Sequence, residues 1–118
     1  SYMFNPETVK AGDKNTSVLL LQEILRARGF KGKNGKALKL TWTADANTIY
    51  ALKAYQESRK EVLEVDGICG SATLKDLIAI LSKKSMGTMS TLTHKILYQL
   101  HCFLYIIGYY TMGHRTGS

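Results

Sequence analysis

Proline occurs once in this chain, tryptophan once and cysteine twice. Each scarcity excludes something. Cys69 and Cys102 cannot build a disulfide framework, and a single bridge between them must still meet the strict geometry of that bond. Acidic residues are outnumbered nine to sixteen by basic ones. None of the three histidines precedes His94, and no carboxylate follows Asp76. A zinc site on His94 and His101, seven residues apart on one helical face, would therefore borrow a third ligand from earlier in the chain. Surface or interface histidines are the simpler reading, so no metal and no cofactor are expected. Long apolar runs are missing too. The most apolar segment, Ile96 to Tyr110, is too short to span a bilayer and is broken by Gln99 and His101. The opening Ser1-Tyr2-Met3-Phe4-Asn5-Pro6 lacks the basic start and apolar stretch of a signal peptide. The expectation is a soluble chain cut from a longer, exported protein.

What is present suffices for one small domain. A length of 118 residues with 45% hydrophobic content can form a core without metals or disulfides. The net charge of +7 favours anionic partners by long-range attraction. Arg26, Arg28, Lys31, Lys33, Lys36 and Lys39 concentrate that charge, as a phosphate-binding patch would. No groove-reading helix motif or aromatic RNA-binding signature accompanies them, so no specific nucleic-acid partner is expected. A charged, solvated loop is the economical account.

Helical periodicity dominates the chain from residue 12 onward. Residues 1–11 form an irregular lead-in. After a turn at Gly12-Asp13-Lys14, either Asn15 or Thr16 caps a helix over about Ser17–Arg28, with Val18, Leu21, Ile24 and Leu25 on one face. Gly29 supplies the left-handed end, and Phe30 folds back onto the core. The basic loop from Lys31 to Thr43 follows, where alternation of Leu38, Leu40 and Trp42 with polar neighbours predicts a short extended piece. Asp45 caps a second helix over Ala46–Ser58 with Ile49, Leu52 and Tyr55 inward. Arg59-Lys60-Glu61 is an exposed loop. Asp66-Gly67 is a strong turn signal, and a third helix runs over Ser71–Ser82 with Leu74, Leu77, Ile78 and Leu81 inward.

Three motifs stand in register along these helices: Val18, Leu21-Gln22, Leu25 and Gly29-Phe30; then Thr48, Ala51-Leu52 and Tyr55-Gln56; then Val65-Asp66-Gly67-Ile68, Gly70 and Thr73. Together they resemble the three-helix peptidoglycan-binding domain appended to bacterial and phage cell-wall hydrolases. The resemblance covers roughly residues 12–83. It implies an all-α fold, a three-helix bundle for residues 12–83, and a non-catalytic module that holds peptidoglycan (muropeptide or glycan) for an attached enzyme such as a zinc-dependent amidase or peptidase. The implied location is outside the cell or in the wall of a bacterium, or on a phage lysin, with anionic wall polymers as further partners. It also implies a shallow groove with Asp66, Gly67 and Ile68 along one wall and Tyr55, Gln56 and Thr73 nearby.

The residues themselves weigh against some of those contacts. Tyr55 occupies a core aromatic slot, Gln22 and Gln56 are suited to tying loop backbone, and Asp66 has a turn to hold. Trp42 and Tyr50 are better ligand candidates if exposed, because rings stack on sugar faces. Trp42 stands where the resembling family often has Gly after Thr, a local departure. Catalytic readings find no assembled site. Cys69 lacks a base in any recognisable pattern and fits a small packing role. Glu61, Glu64 and Asp66 fit solvated or capping carboxylates better than a glycosidase pair.

Repetition adds one more feature. Asp45-x-x-Thr48 and Gly70-x-x-Thr73 are the same helix start used twice. Beyond a Ser/Thr/Gly-rich linker, placed at 84–93, Leu97, Leu100, Leu104, Gly108 and Tyr109 repeat the spacing of Val18, Leu21, Leu25, Gly29 and Phe30. Residues 94–118 are thus expected to hold the first helix of a partial second copy, packed on the module or on a second chain. That tail helix keeps two alternatives open: a protein–protein or self-assembly module working as a homodimer, and a fragment of a zinc-dependent wall hydrolase.

Overall fold

The computed structural model describes residues 8–79 and Lys95. The linker at 84–93 and the expected tail helix over 94–118 lie outside the described residues, apart from Lys95, which is helical and exposed. Three helices make the described fold: α1 (Thr16–Ala27), α2 (Ala46–Ser58) and α3 (Ser71–Ala79). The architecture is all-α, as the periodicity predicts. Among the described residues there is no strand, only isolated antiparallel bridges joining Val9 to Cys69, Lys14 to Thr43 and Lys31 to Ala37. The extended piece expected around Leu38–Trp42 is therefore a loop. Burial falls off along its three apolar residues: Leu38 is buried, Leu40 half-buried and Trp42 exposed.

The first two helices each begin where a side chain can accept from a free amide. Asn15 Oδ1 accepts from Val18 N at 3.0 Å, and Asp45 Oδ1 accepts from Thr48 N at 2.9 Å. At the other end of α1, Gly29 N donates to Arg26 O and Phe30 N to Leu25 O, the paired bonds of a Schellman ending, with Gly29 at φ +84°. That ending turns Phe30 back so that its ring meets Tyr55 edge-on, centroids 5.4 Å apart.

The first helix is enclosed more completely than a one-sided pattern suggests. Every residue from Ser17 to Leu25 is buried, including Leu19 and Leu20 beside the expected face. Three consecutive leucines spread around the circumference, which suits a central helix. Both α2 and α3 pack against it. Ala51, Leu52 and Tyr55 from α2 and Leu77 and Ile78 from α3 complete the core with Val9, Leu38 and Cys69. Each large apolar side chain so buried contributes about 1.5–3 kcal/mol of transfer free energy. The lead-in takes part in this: Val9 exchanges both backbone hydrogen bonds with Cys69, at 3.1 and 2.8 Å.

The Arg59 loop end is also tied down rather than free. Arg59 grips Asp76 of α3 with two hydrogen bonds, Nε to Oδ2 at 2.9 Å and Nη2 to Oδ1 at 2.8 Å. The Tyr55 hydroxyl donates to the same carboxylate. This clamp locks the end of α2 to α3.

Candidate functional site

Two buried glutamines set the geometry of the loops that precede α2 and α3. Gln22, on α1, donates from Nε2 to Thr41 Oγ1, Thr43 O and Thr48 Oγ1 at 2.9–3.0 Å, and its Oε1 accepts from Trp42 N at 3.1 Å. Gln56, on α2, donates from Nε2 to Asp66 Oδ1, Ile68 O and Thr73 Oγ1 at 3.0–3.3 Å. Its Oε1 accepts from Asp66 N and Gly67 N at 3.2 and 2.9 Å. The two corners are built on one plan: Thr41, Trp42, Thr43 and Thr48 take the roles of Asp66, Gly67, Ile68 and Thr73. A primary amide suits this because it offers two donors and an acceptor from one rigid plane. Inside a core it pairs loop groups that would otherwise be stranded.

The apex of each corner has left-handed backbone. Gly67 sits at φ +72°, a conformation that favours glycine; a Cβ there would clash only with the movable end of the Lys53 side chain. Trp42, at the matching apex, has φ +64° and is the sole non-glycine residue with positive φ among those described. A bulky residue in that region is a genuine outlier. Asp66 holds its own corner as well, its Oδ1 accepting from Ile68 N at 2.9 Å.

These bonds divide the eight residues named from the sequence into two groups. Tyr55, Gln56, Gly67 and Thr73 are buried. Their polar groups are engaged internally, Tyr55 with Asp76 and the other three around the second corner. Trp42, Tyr50, Asp66 and Ile68 reach solvent, with Trp42 42% and Tyr50 51% exposed. Val65, the first residue of the third motif, is also exposed, as is Val62, which belongs to no motif.

Beside the first corner lies a pocket of about 110 Å³ lined by Asn34, Lys36, Leu38, Lys39, Asp45 and Asn47, among others. Gly32 lets the lysine loop lie against α2 here, since a Cβ would fall 2.8 Å from the Asn47 side chain. Lys31, Lys33, Lys36 and Lys39 all face solvent. Arg28 does not join them fully. Its guanidinium carbon lies 5.6 Å from the centroid of the Tyr55 ring, and its Nη1 is buried without a hydrogen-bond partner.

Titratable groups in the core are not poised for chemistry. Burial, reinforced by the Asp66 charge, pushes the Cys69 thiol up to about 12, so the thiolate needed for nucleophilic attack is disfavoured. Burial and the Asp76 carboxylate raise the Tyr55 phenol as well. For Asp76, burial opposes the charged form. The hydrogen bonds from Arg59 and Tyr55, with the charges of Arg59 and Arg28, outweigh it and hold the carboxyl below its usual range. Among the described residues no group of three His, Cys, Asp or Glu is placed to hold a metal ion. No helix there is long and apolar enough to cross a membrane.

Two short helices packed on a central one, with two amide-pinned corners and exposed rings, define a small helical binding domain. The model of the peptidoglycan-binding domain family matches residues 14–77, just over half of the chain, and the chain belongs to that family. It is thereby a cell-wall-binding module. Comparison with curated proteins and with solved structures returns no match.

Proposed function

We propose that this chain is the non-catalytic part of a wall-modifying protein and holds peptidoglycan for an attached hydrolase, such as a zinc-dependent amidase or peptidase. Tethering of this kind raises the local concentration of substrate without new chemistry. The observation that carries the reading is the family match over residues 14–77. Geometry supports it, because the core groups with chemical potential are consumed by one another while Trp42 and Tyr50 stand free to touch a ligand.

In this reading the contact surface consists of Trp42, Tyr50, Asp66 and Ile68. Tyr55, Gln56, Gly67 and Thr73 shape it from beneath. The exposed lysines of the 31–39 loop steer the module to anionic wall polymers and add salt-sensitive affinity. The setting is the wall of a bacterium, reached either by an exported enzyme or by a phage lysin.

The test is co-sedimentation of the full chain with insoluble sacculi at moderate salt, before and after teichoic acids are stripped. Retention on stripped sacculi, with no soluble fragments released, supports the proposal. Retention that vanishes on stripping assigns the ligand to the anionic decoration instead. Release of fragments makes the chain an enzyme.

A further inference from the structure

The two corners share one hydrogen-bonding plan, and this comparison isolates Trp42. At the second corner the left-handed apex is Gly67, which adopts φ +72° without steric penalty. At the first, the same position carries the largest side chain available at φ +64°. Backbone of that kind opposes a side chain by about 1–2 kcal/mol. Glycine would serve the turn better. The bond from Trp42 N to Gln22 Oε1 holds the apex in place regardless, so the strain is imposed by the corner. The residue is 42% exposed, so core packing does not account fully for its presence. Residues held in sparsely populated conformations concentrate at functional sites.

The surroundings specify the ligand. Thr41, immediately before Trp42, lines the small pocket, together with Lys36, Lys39, Asn34 and Asn47. Its volume of about 110 Å³ is below the roughly 150 Å³ that accommodates benzene. It suits a substituent rather than a ring. Two ammonium groups against the single carboxylate of Asp45, whose Oδ1 is already taken by Thr48, favour an anionic substituent. At the second corner, by contrast, Asp66 Oδ1 is committed to the turn.

We propose that the Trp42 corner, rather than the Asp66-Gly67 corner, is the principal contact with the wall polymer: the indole stacks on a pyranose ring of the glycan, and the lysine pocket beside it takes a carboxylate on that sugar's peptide arm. This rests on the peptidoglycan-binding reading above. It adds that the aromatic is kept at the expense of fold stability.

Trp42 is the sole tryptophan, so its emission reports on this corner alone. The full-length chain is titrated with the soluble disaccharide-tripeptide GlcNAc-MurNAc-tripeptide, and sacculus retention is measured for wild type, Trp42→Gly, Trp42→Ala and Trp42→Phe. The expected results are a saturable change in Trp42 emission and at least tenfold weaker retention of both the Gly and Ala variants. Trp42→Phe stays within about threefold of wild type. Trp42→Gly melts above Trp42→Ala, the reverse of their order at an ordinary helix or strand site, which separates backbone strain from loss of the ring. Wild-type retention undiminished in the folded Trp42→Gly protein, or unchanged emission at saturating ligand, overturns this inference and leaves the binding function standing. Failure of the wild type itself to bind sacculi removes the function and the inference together.

Discussion

Gln56 shows how one side chain can determine a local structure. Five hydrogen bonds converge on its amide, from or to Asp66, Gly67, Ile68 and Thr73. Replacing it by glutamate keeps the shape and one acceptor but removes the NH₂ that serves three oxygens, one of them the Asp66 carboxylate. Gln56→Glu is expected to lower stability by about 2–4 kcal/mol at neutral pH, since buried acceptors are stranded and two carboxylates are forced together. Urea denaturation measures it. Asp76 makes a different kind of prediction. Its carboxyl is held below the unfolded value of 3.8, so its stabilisation is complete above about pH 4 and is lost as pH falls through the folded value. Because the Arg59 side chain remains 39% exposed, solvent screens the pair. Asp76→Asn should then cost about 2 kcal/mol at pH 7, less than for a fully enclosed pair. The gap from wild type should narrow towards pH 3. A gap independent of pH would assign the loss to packing instead. Both glutamines are visible in the sequence as residues beside core positions, and their role in tying loop backbone follows from the need to pair buried amides. The Arg59–Asp76–Tyr55 clamp is not visible, because Arg59 and Asp76 lie far apart in sequence and a charged loop residue ordinarily stays in water.

At the scale of the element, helix starts carry most of the readable information. The Asp45 cap and the span Ala46–Ser58 follow directly from the sequence, and α1 begins one residue before the predicted Ser17. Caps are local chemistry, so a local reading finds them. Asp45 does more than cap, since its Oδ1 also accepts from Thr48 Oγ1 at 2.8 Å, and Thr48 in turn accepts from Gln22. Asp45→Ala should therefore cost about 1–2 kcal/mol, the upper part of the range for a cap, and loosen the Trp42 corner with it. Amide hydrogen exchange would show faster exchange at Trp42 and Thr48 than at Gly67. Equal acceleration at both corners would contradict this. The basic loop was harder to read. Alternation around Leu38–Trp42 suggests a strand, but no partner strand is available among the described residues, and a left-handed Trp42 cannot continue one. The pairing of Val9 with Cys69 was likewise hidden, because nothing local marks a lead-in residue as the neighbour of a distant turn.

For the molecule as a whole, charge and shape act together. The excess of positive charge sits partly on an exposed loop that precedes the exposed Trp42, so under the proposed reading attraction to a polyanionic wall and contact with its glycan would both act at the first corner. Salt should separate the two contributions. Raising ionic strength from 0.05 to 0.5 M, which shortens the Debye length roughly threefold, is expected to weaken retention on intact walls much more than on walls stripped of anionic polymers. Equal salt sensitivity on both would mean that the lysines act inside the binding site alone. The class of the domain was readable because three motifs must stand in register on three helices. The candidate ligand surface is partly readable: Tyr55 fits a core slot and is buried while Tyr50, on the same helix, faces solvent, but Gly67, expected along the groove wall, is buried.

The most direct test of the account is to map GlcNAc-MurNAc-tripeptide onto the ¹⁵N-labelled full chain by NMR titration. The account predicts shifts that saturate and cluster at the Trp42 indole, Thr41, Lys36 and Tyr50, with the amides of the Gln56 corner little changed. No shifts at millimolar ligand, or shifts centred on Asp66 and Gly67 with Trp42 unmoved, would contradict it.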